Sequence, residues 1–377
     1  MVLPYGRQSI SADDVKVVEE VLTGDWLTTG PYVTRFEEEI AQLAGSPNQA
    51  VSVTSGTAAL HVAYAAAQVG PGDEVITTPL TFLATATTAS ILGAKIVFAD
   101  ICEDTGNLDP DAVAAEITGA TKVVAGVDYG GHPIDAEGLS AVAKKAGAYL
   151  LEDAAHSVGG SLDGTPVGSL ADITTFSFFP TKNLTTGEGG AVVAKDADVV
   201  ERARRFKGIG MVREPEQLRS KDEGAWWYEM PELGLNYRLN DLQAALGSSQ
   251  LTRLGQFKTR RQEITDRYNE GLAGIEQLTL PGHRAGADPV WHLYPLRITD
   301  GRRRELFEHL REQGIGVQVN YIPVYWQPYF ADLGYRRGMC PTAEAYYEQE
   351  ISLPMFPDLT DDDVDRVIEL IRGFVGA

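Results

Sequence analysis

Between residues 50 and 194, short runs rich in Val, Ile and Ala alternate with longer stretches whose apolar positions recur at helical spacing. The runs at 50–54 (AVSVT), 74–77, 95–99, 122–127, 149–152, 173–178 and 191–194 predict strands, and the Ala-rich stretch 56–69 predicts a helix. Strands that alternate with helices form a largely parallel sheet with helices on both faces. Beyond residue 193 the pattern changes. Helices are expected over 196–206, 239–271, 302–313 and 360–374, and strands over 293–298 and 316–321. Thr360 followed by three aspartates suits a helix N-cap and the positive end of its dipole. Segment 212–232 has charge and glycine but no period, and reads as a loop near a site or an interface. The fold expected is α/β, with a mostly parallel central sheet and an N-terminal arm over 1–249 and a smaller α+β domain over 250–377.

At 377 residues and 44% hydrophobic composition the chain can bury a full core. Its net charge of −21 repels nucleic acid and anionic membrane, so neither is expected as a partner. A phosphate-bearing ligand would meet an unfavourable background, and the site must supply its own positive field. No run approaches the ~18 apolar residues that span a bilayer, and residues 1–7 lack the basic and apolar regions of a signal peptide. Cys102 and Cys340 could pair, but two reduced thiols in a cytoplasmic chain is the plainer expectation. Two distant cysteines and six histidines without ligand spacing give no metal site.

Four features follow one another along the predicted sheet. The first is Thr54-Ser55-Gly56-Thr57-Ala58, a small-residue turn between a strand and a helix. Free N–H groups at a helix start favour a phosphate, although Ser55 or Thr57 could simply cap an ordinary turn. The second is Asp153, which ends an apolar strand and so stands at the carboxyl edge of the sheet, where open α/β sheets bind ligands. A carboxylate there can keep a pyridinium nitrogen protonated, or cap the next turn; His156 can contact the same ligand or serve as a structural hydrogen-bonder. The third is Lys182, on a loop between the aromatic strand that contains Phe176, Ser177 and Phe178 and the Gly187-Glu188-Gly189-Gly190 turn. It is either a solvated surface lysine or an amine whose pKa, ordinarily ~10.4, is lowered by burial into a nucleophile. The fourth is Asn236-Tyr237-Arg238 before a Leu- and Ala-rich helix, where Arg238 binds an anion or pairs with Asp241. Phosphate turn, strand-end aspartate and loop lysine stand in the order that a type I pyridoxal-phosphate enzyme needs.

The same residues resemble the DegT/DnrJ/EryC1/StrS sugar-nucleotide aminotransferases. The likeness runs from Gly24-Asp25-Trp26-Leu27-Thr28-Thr29-Gly30-Pro31 through Ser55–Leu60, Glu152-Asp153-Ala154-Ala155-His156, Lys182-Asn183-Leu184, Gly187–Gly190 and Gly234–Arg238 to Tyr321-Ile322-Pro323. The resemblance implies a fold type I homodimer with active sites shared between subunits. Lys182 would carry pyridoxal 5'-phosphate as a Schiff base, with pyridoxamine phosphate as its aminated form. Asp153 would pair with the ring nitrogen, His156 would sit by the ring, and Phe82 would lie against its face. Gly56, Thr57, Ala58 and Ser177 would hold the phosphate, joined by Asn236 of the other subunit. Trp26, Thr29, Asn183, Glu188, Arg238 and Tyr321 are the positions expected to meet substrate. The chain departs from the pattern where Asn320 replaces a histidine before Tyr321, and where Val324, Tyr325 and Trp326 replace a second.

The resemblance implies transfer of an amino group from glutamate to C4 of a nucleotide-linked 4-keto-6-deoxyhexose, with a 3-keto sugar or a keto-inositol as alternatives. Three rivals are weaker. Sugar dehydratases of the same superfamily carry histidine where Lys182 stands. A non-catalytic relative would lack the lysine or the aspartate. A nicotinamide oxidoreductase needs a G-x-G-x-x-G after the first strand, which is missing here.

Overall fold

The computed structural model describes residues 2–45 and 49–377. In chain order, helices α1 (Ala12–Leu22) and α2 (Pro31–Leu43) precede β1 (Gln49–Val53) and α3 (Gly56–Ala66). Then come β2 (Glu74–Thr77), α4 (Ala84–Ile91), β3 (Lys95–Phe98), α5 (Pro110–Glu116), β4 (Thr121–Val127), α6 (Ala136–Ala146) and β5 (Tyr149–Asp153). A two-strand ribbon, β6 (Ser161–Leu162) and β7 (Thr165–Pro166), leads to β8 (Ile173–Ser177), β9 (Gly190–Ala194) and α7 (Ala197–Lys207). Helices α8 (Asp241–Leu251) and α9 (Leu254–Leu272) follow, with β10 (Leu278–Thr279), β11 (Ala287–Asp288), β12 (Tyr294–Ile298) and α10 (Arg303–Glu312). The chain closes with α11 (Pro328–Asp332), α12 (Pro341–Gln349), β13 (Glu350–Leu353) and α13 (Asp361–Val375).

The seven-stranded sheet has the order β1-β9-β8-β5-β4-β2-β3. Only β9 runs against its neighbours, pairing antiparallel with both β1 and β8. The strands between helix layers are apolar on both faces; β2, β8 and β9 are buried at every position. This is the pattern of a sheet covered on both sides. Because the other strands point one way, the ends of β1, β5 and β8 share one edge. That places Ser55, Asp153 and Ser177 together.

A second core gathers Ile264, Tyr268, Leu296, Leu310, Leu353 and Val367 among α9, α10, α13 and the β10-β12-β13 sheet. Thr360 caps α13 in a capping box with Asp363, as the sequence predicts. Two expectations need correction. The predicted helix over 239–271 is two helices, broken at Thr252 and Arg253, because its halves pack on different partners: α8 on α1 and α2, α9 on α13. Segment 316–321 is extended but not a strand. Ile315 just before it bridges to Leu3, Gln318 within it bridges to Ser352, and at Asn320 the backbone N–H donates to the Glu350 side chain instead of to a ladder. Segment 212–232 is irregular apart from one Val212–Glu229 bridge.

Candidate active site

The carboxyl edge of the sheet opens into a cavity of about 440 Å³. Gly56, Thr57, Phe82, Asp153, His156, Ser177, Lys182, Glu188 and Tyr321, all selected from the sequence, line it.

Asp153 is buried at the end of β5. Its Oδ2 accepts from Thr85 Oγ1 at 2.7 Å and its Oδ1 from the Ala155 N–H at 3.2 Å. Burial pushes the carboxyl above its usual range, while the Thr85 hydroxyl, the Ala155 N–H and the Lys182 charge pull the other way. A buried carboxylate that lines the cavity gains most from a cationic N–H partner. Lys182 reaches the same cavity from the loop after β8. Burial lowers its amine from the ordinary 10.5 to about 8, against the pull of Asp153. This setting is not that of a solvated surface lysine: at neutral pH roughly a tenth of an amine near 8 is unprotonated, far more than of one at 10.5, which suits it to act as a nucleophile.

At the same edge, Ser55 caps α3, its side chain accepting from the Ala58 N–H at 3.1 Å. Ala58 is buried and does not line the cavity, and in this single chain its N–H is given to Ser55. The Gly56 and Thr57 N–H groups at the open helix start are the ones available to a phosphate. A Cβ at Gly56 would stand 2.7 Å from both Cβ and Oγ of Ser177, so helix start and strand end close on each other around this point. The Phe82 ring lies on the cavity wall and is 58% exposed, edge-on to Tyr321 with centroids 6.3 Å apart. An exposed aromatic face over a cavity suits a flat ring.

Asn183 is also corrected. It is buried and donates from Nδ2 to the backbone oxygens of His156 and Val290, so it belongs to the framework rather than to the substrate wall. Trp26, Thr29, Asn236 and Arg238 do not line the cavity of this single chain. Asn236 and Trp26 are exposed. Tyr237 and Arg238 bridge to the end of β1. Arg238 makes no ion pair with Asp241. That buried carboxylate instead caps α2, accepting from the N–H of Gly30 at 2.8 Å and of Tyr32 at 3.0 Å.

Several lining residues escaped the sequence reading. Thr85, which orients Asp153, lies only three positions past Phe82, but its partner is 68 positions away in the chain. His292 packs its ring on His156, centroids 4.4 Å apart, and His156 Nε2 meets the Tyr321 hydroxyl at 3.1 Å. Burial and the nearby Lys182 charge hold both histidines well below their ordinary pKa, and hence neutral. Tyr5 comes from the N-terminal arm, its hydroxyl accepting from Asn320 Nδ2 at 2.7 Å. The Asn320 N–H donates to Glu350, whose carboxyl burial pushes up to about 8. Asn320, where the resemblance expects a histidine, is thus a neutral link between the smaller core and the cavity wall. Among the described residues no group of three His, Cys, Asp or Glu could hold a metal, and no helix is long and apolar enough to cross a membrane.

The donor set fits pyridoxal phosphate on observations independent of any bound ligand: a lowered amine for the aldehyde, a buried carboxylate for the ring nitrogen, a helix start beside Ser177 for the phosphate, and an exposed ring for the face. Comparison with known proteins agrees. The family model described as the DegT/DnrJ/EryC1/StrS aminotransferase family matches residues 8–372. The spore coat polysaccharide biosynthesis protein SpsC of Bacillus subtilis is 41% identical over 379 aligned positions, covering 99% of this chain and 97% of SpsC. Spr1654 of Streptococcus pneumoniae, solved in PMP and PLP forms, superposes with a TM-score of 0.93. Its PMP form is 30% identical, over 99% of each chain. Helicobacter pylori PseC, an aminotransferase involved in the biosynthesis of pseudoaminic acid, superposes with a TM-score of 0.92 at 30% identity over 100% of both chains. The chain has the fold type I architecture and belongs to the DegT/DnrJ/EryC1/StrS family of pyridoxal-phosphate-dependent aminotransferases.

Proposed function

We propose that this enzyme moves an amino group from L-glutamate to C4 of a nucleotide-linked 4-keto-6-deoxyhexose, in the cytoplasm, as part of deoxyamino-sugar synthesis. The observation that carries the reading is a single lowered amine, Lys182, on the wall of a cavity that the buried carboxylate Asp153 also lines. Bound pyridoxal phosphate supplies the electron sink for the transfer. Asp153 keeps its ring nitrogen protonated. Lys182 Nζ, once free, takes the proton from Cα of the donor and gives one back to the sugar carbon, so one group is base and then acid. Neutral His156 and Tyr321 hold a hydrogen-bonded wall beside that amine. Phe82 covers the ring face, and Thr57, Gly56 and Ser177 hold the phosphate.

The sugar assignment is supported by the likeness of the Lys182–Glu188 stretch to C4-aminating members, and by relatives whose names concern spore coat polysaccharide and pseudoaminic acid. The working unit in this reading is a homodimer. Its second subunit brings Asn236 to the phosphate and Trp26, Thr29 and Arg238 to the substrate, alongside Glu188 and Tyr321 of the first. Exposed Trp226, Tyr228, Leu233 and Leu235 in and beside the irregular segment supply an apolar face for that pairing.

The test is incubation of the purified protein with glutamate and a panel of dTDP- and UDP-linked 3-keto and 4-keto sugars, reading product mass and amination position. A C4-amino product from a 4-keto-6-deoxy sugar is expected. Amination at C3 alone, or none, overturns the assignment.

A further inference from the structure

Lys182 approaches the cavity on a flexible four-carbon stem from a loop, so its amine meets a bound group in one geometry only if the loop itself is fixed. The next residue supplies that fixation. Asn183 is 2% exposed, and its Nδ2 donates to the backbone oxygen of His156 at 2.6 Å and of Val290 at 2.9 Å. These bonds join three segments remote in sequence: the lysine loop, the turn after Asp153, and the crossing that carries His292. That crossing is held in turn by the His292 N–H donating to Gly130 at 2.8 Å. The junction is tight. Gly131 has φ +99°, and a Cβ there would stand 2.1 Å from the Val290 oxygen and 3.0 Å from the His156 oxygen. His292, delivered by the third segment, packs its ring against His156 at a tilt of 43° and lines the cavity with Lys182. Both groups that Asn183 meets are carbonyl oxygens. Only a donor serves there, and a carboxylate of the same volume would repel both.

We propose that Asn183 is a positioning residue for Lys182, fixing the amine relative to Asp153 and His156, with His292 as the wall that the clamped segment presents. The reading needs the cofactor alone and stands whatever the acceptor sugar is.

Two forms of the cofactor separate positioning from general support. Pyridoxal phosphate bonds covalently to the lysine amine; pyridoxamine phosphate carries its own amine and binds without that bond. Full-length apo protein and its Asn183→Ala, Asn183→Asp and His292→Phe variants are titrated with each, following cofactor absorbance. Both Asn183 variants should lose about tenfold or more in pyridoxal phosphate affinity, with pyridoxamine phosphate kept within about twofold, as expected for a displaced reacting group. His292→Phe should shift the same ratio by less. Parallel weakening of both forms, the signature of a merely structural role, overturns the proposal, as does unchanged pyridoxal phosphate binding. Asn183→Asp preserves side-chain volume if the alanine variant does not fold, and His292→Phe decides alone if neither does.

Discussion

At the floor of the cavity, Asp153 has both carboxylate oxygens engaged, His156 is held by Tyr321 and His292, and Lys182 is lowered by burial. On the outer surface the opposite holds. Trp226 is 79% and Leu233 81% exposed, Asn236 and Trp26 face solvent, and Arg238 makes no ion pair among the described residues. The floor is complete within one chain because reaction chemistry needs preorganised, desolvated groups. The outer surface is different: in the proposed homodimer these exposed aromatic and aliphatic side chains are the ones the partner covers. The residues of the reaction therefore meet within one chain, whereas in the proposed dimer the choice of acceptor rests on residues that two chains bring together.

The sharpest test of the floor is Lys182→Ala. Turnover should fall by roughly a thousandfold or more, consistent with loss of a group that is both base and acid, and the purified protein should lose the visible absorbance of lysine-bound cofactor. Retained turnover breaks the assignment. In the wild type, the unprotonated amine is the reactive form, so the rate at which apo protein captures pyridoxal phosphate should rise with pH and level off above about 8. A midpoint near an ordinary lysine would show that the amine is solvated. The outer surface is tested by Leu233→Asp, which sets a charge in the proposed interface. Sedimentation should show a shift from dimer to monomer at micromolar concentration, with weaker cofactor binding, because Asn236 no longer arrives. An unchanged dimer places the interface elsewhere. The smallest effect is expected for Gly56→Ala. Its Cβ would press on Ser177 at 2.7 Å, and overpacking of this kind costs about 1–3 kcal/mol. Pyridoxal phosphate affinity should drop more than melting temperature, and equal affinity would mean that Ser177 moves aside freely.

Much of the floor was legible in the residues. The strand that ends in Asp153, the turn before α3 and the loop of Lys182 are local patterns, and local propensity decides them. What escaped were partners brought in from afar. Asn183 and Asp241 show it best: a carboxamide beside a reactive lysine and an acid beside an arginine invite a ligand contact and an ion pair. The fold instead turns the first onto two backbone carbonyls and the second onto the start of α2. A side chain's partner is set by which segments pack together, which a linear pattern does not encode.

By itself, then, the sequence determined the alternation of strands and helices, the strand-end carboxylate, the amine and the helix-start turn, since each depends on residues within a few positions of one another. The tertiary structure alone decided that Thr85 orients Asp153, that His292 backs His156, that Tyr5 and Asn320 close the wall, and that burial lowers the Lys182 amine. Desolvation and long-range hydrogen bonding exist only once the sheet, the N-terminal arm and the smaller core are packed around one cavity.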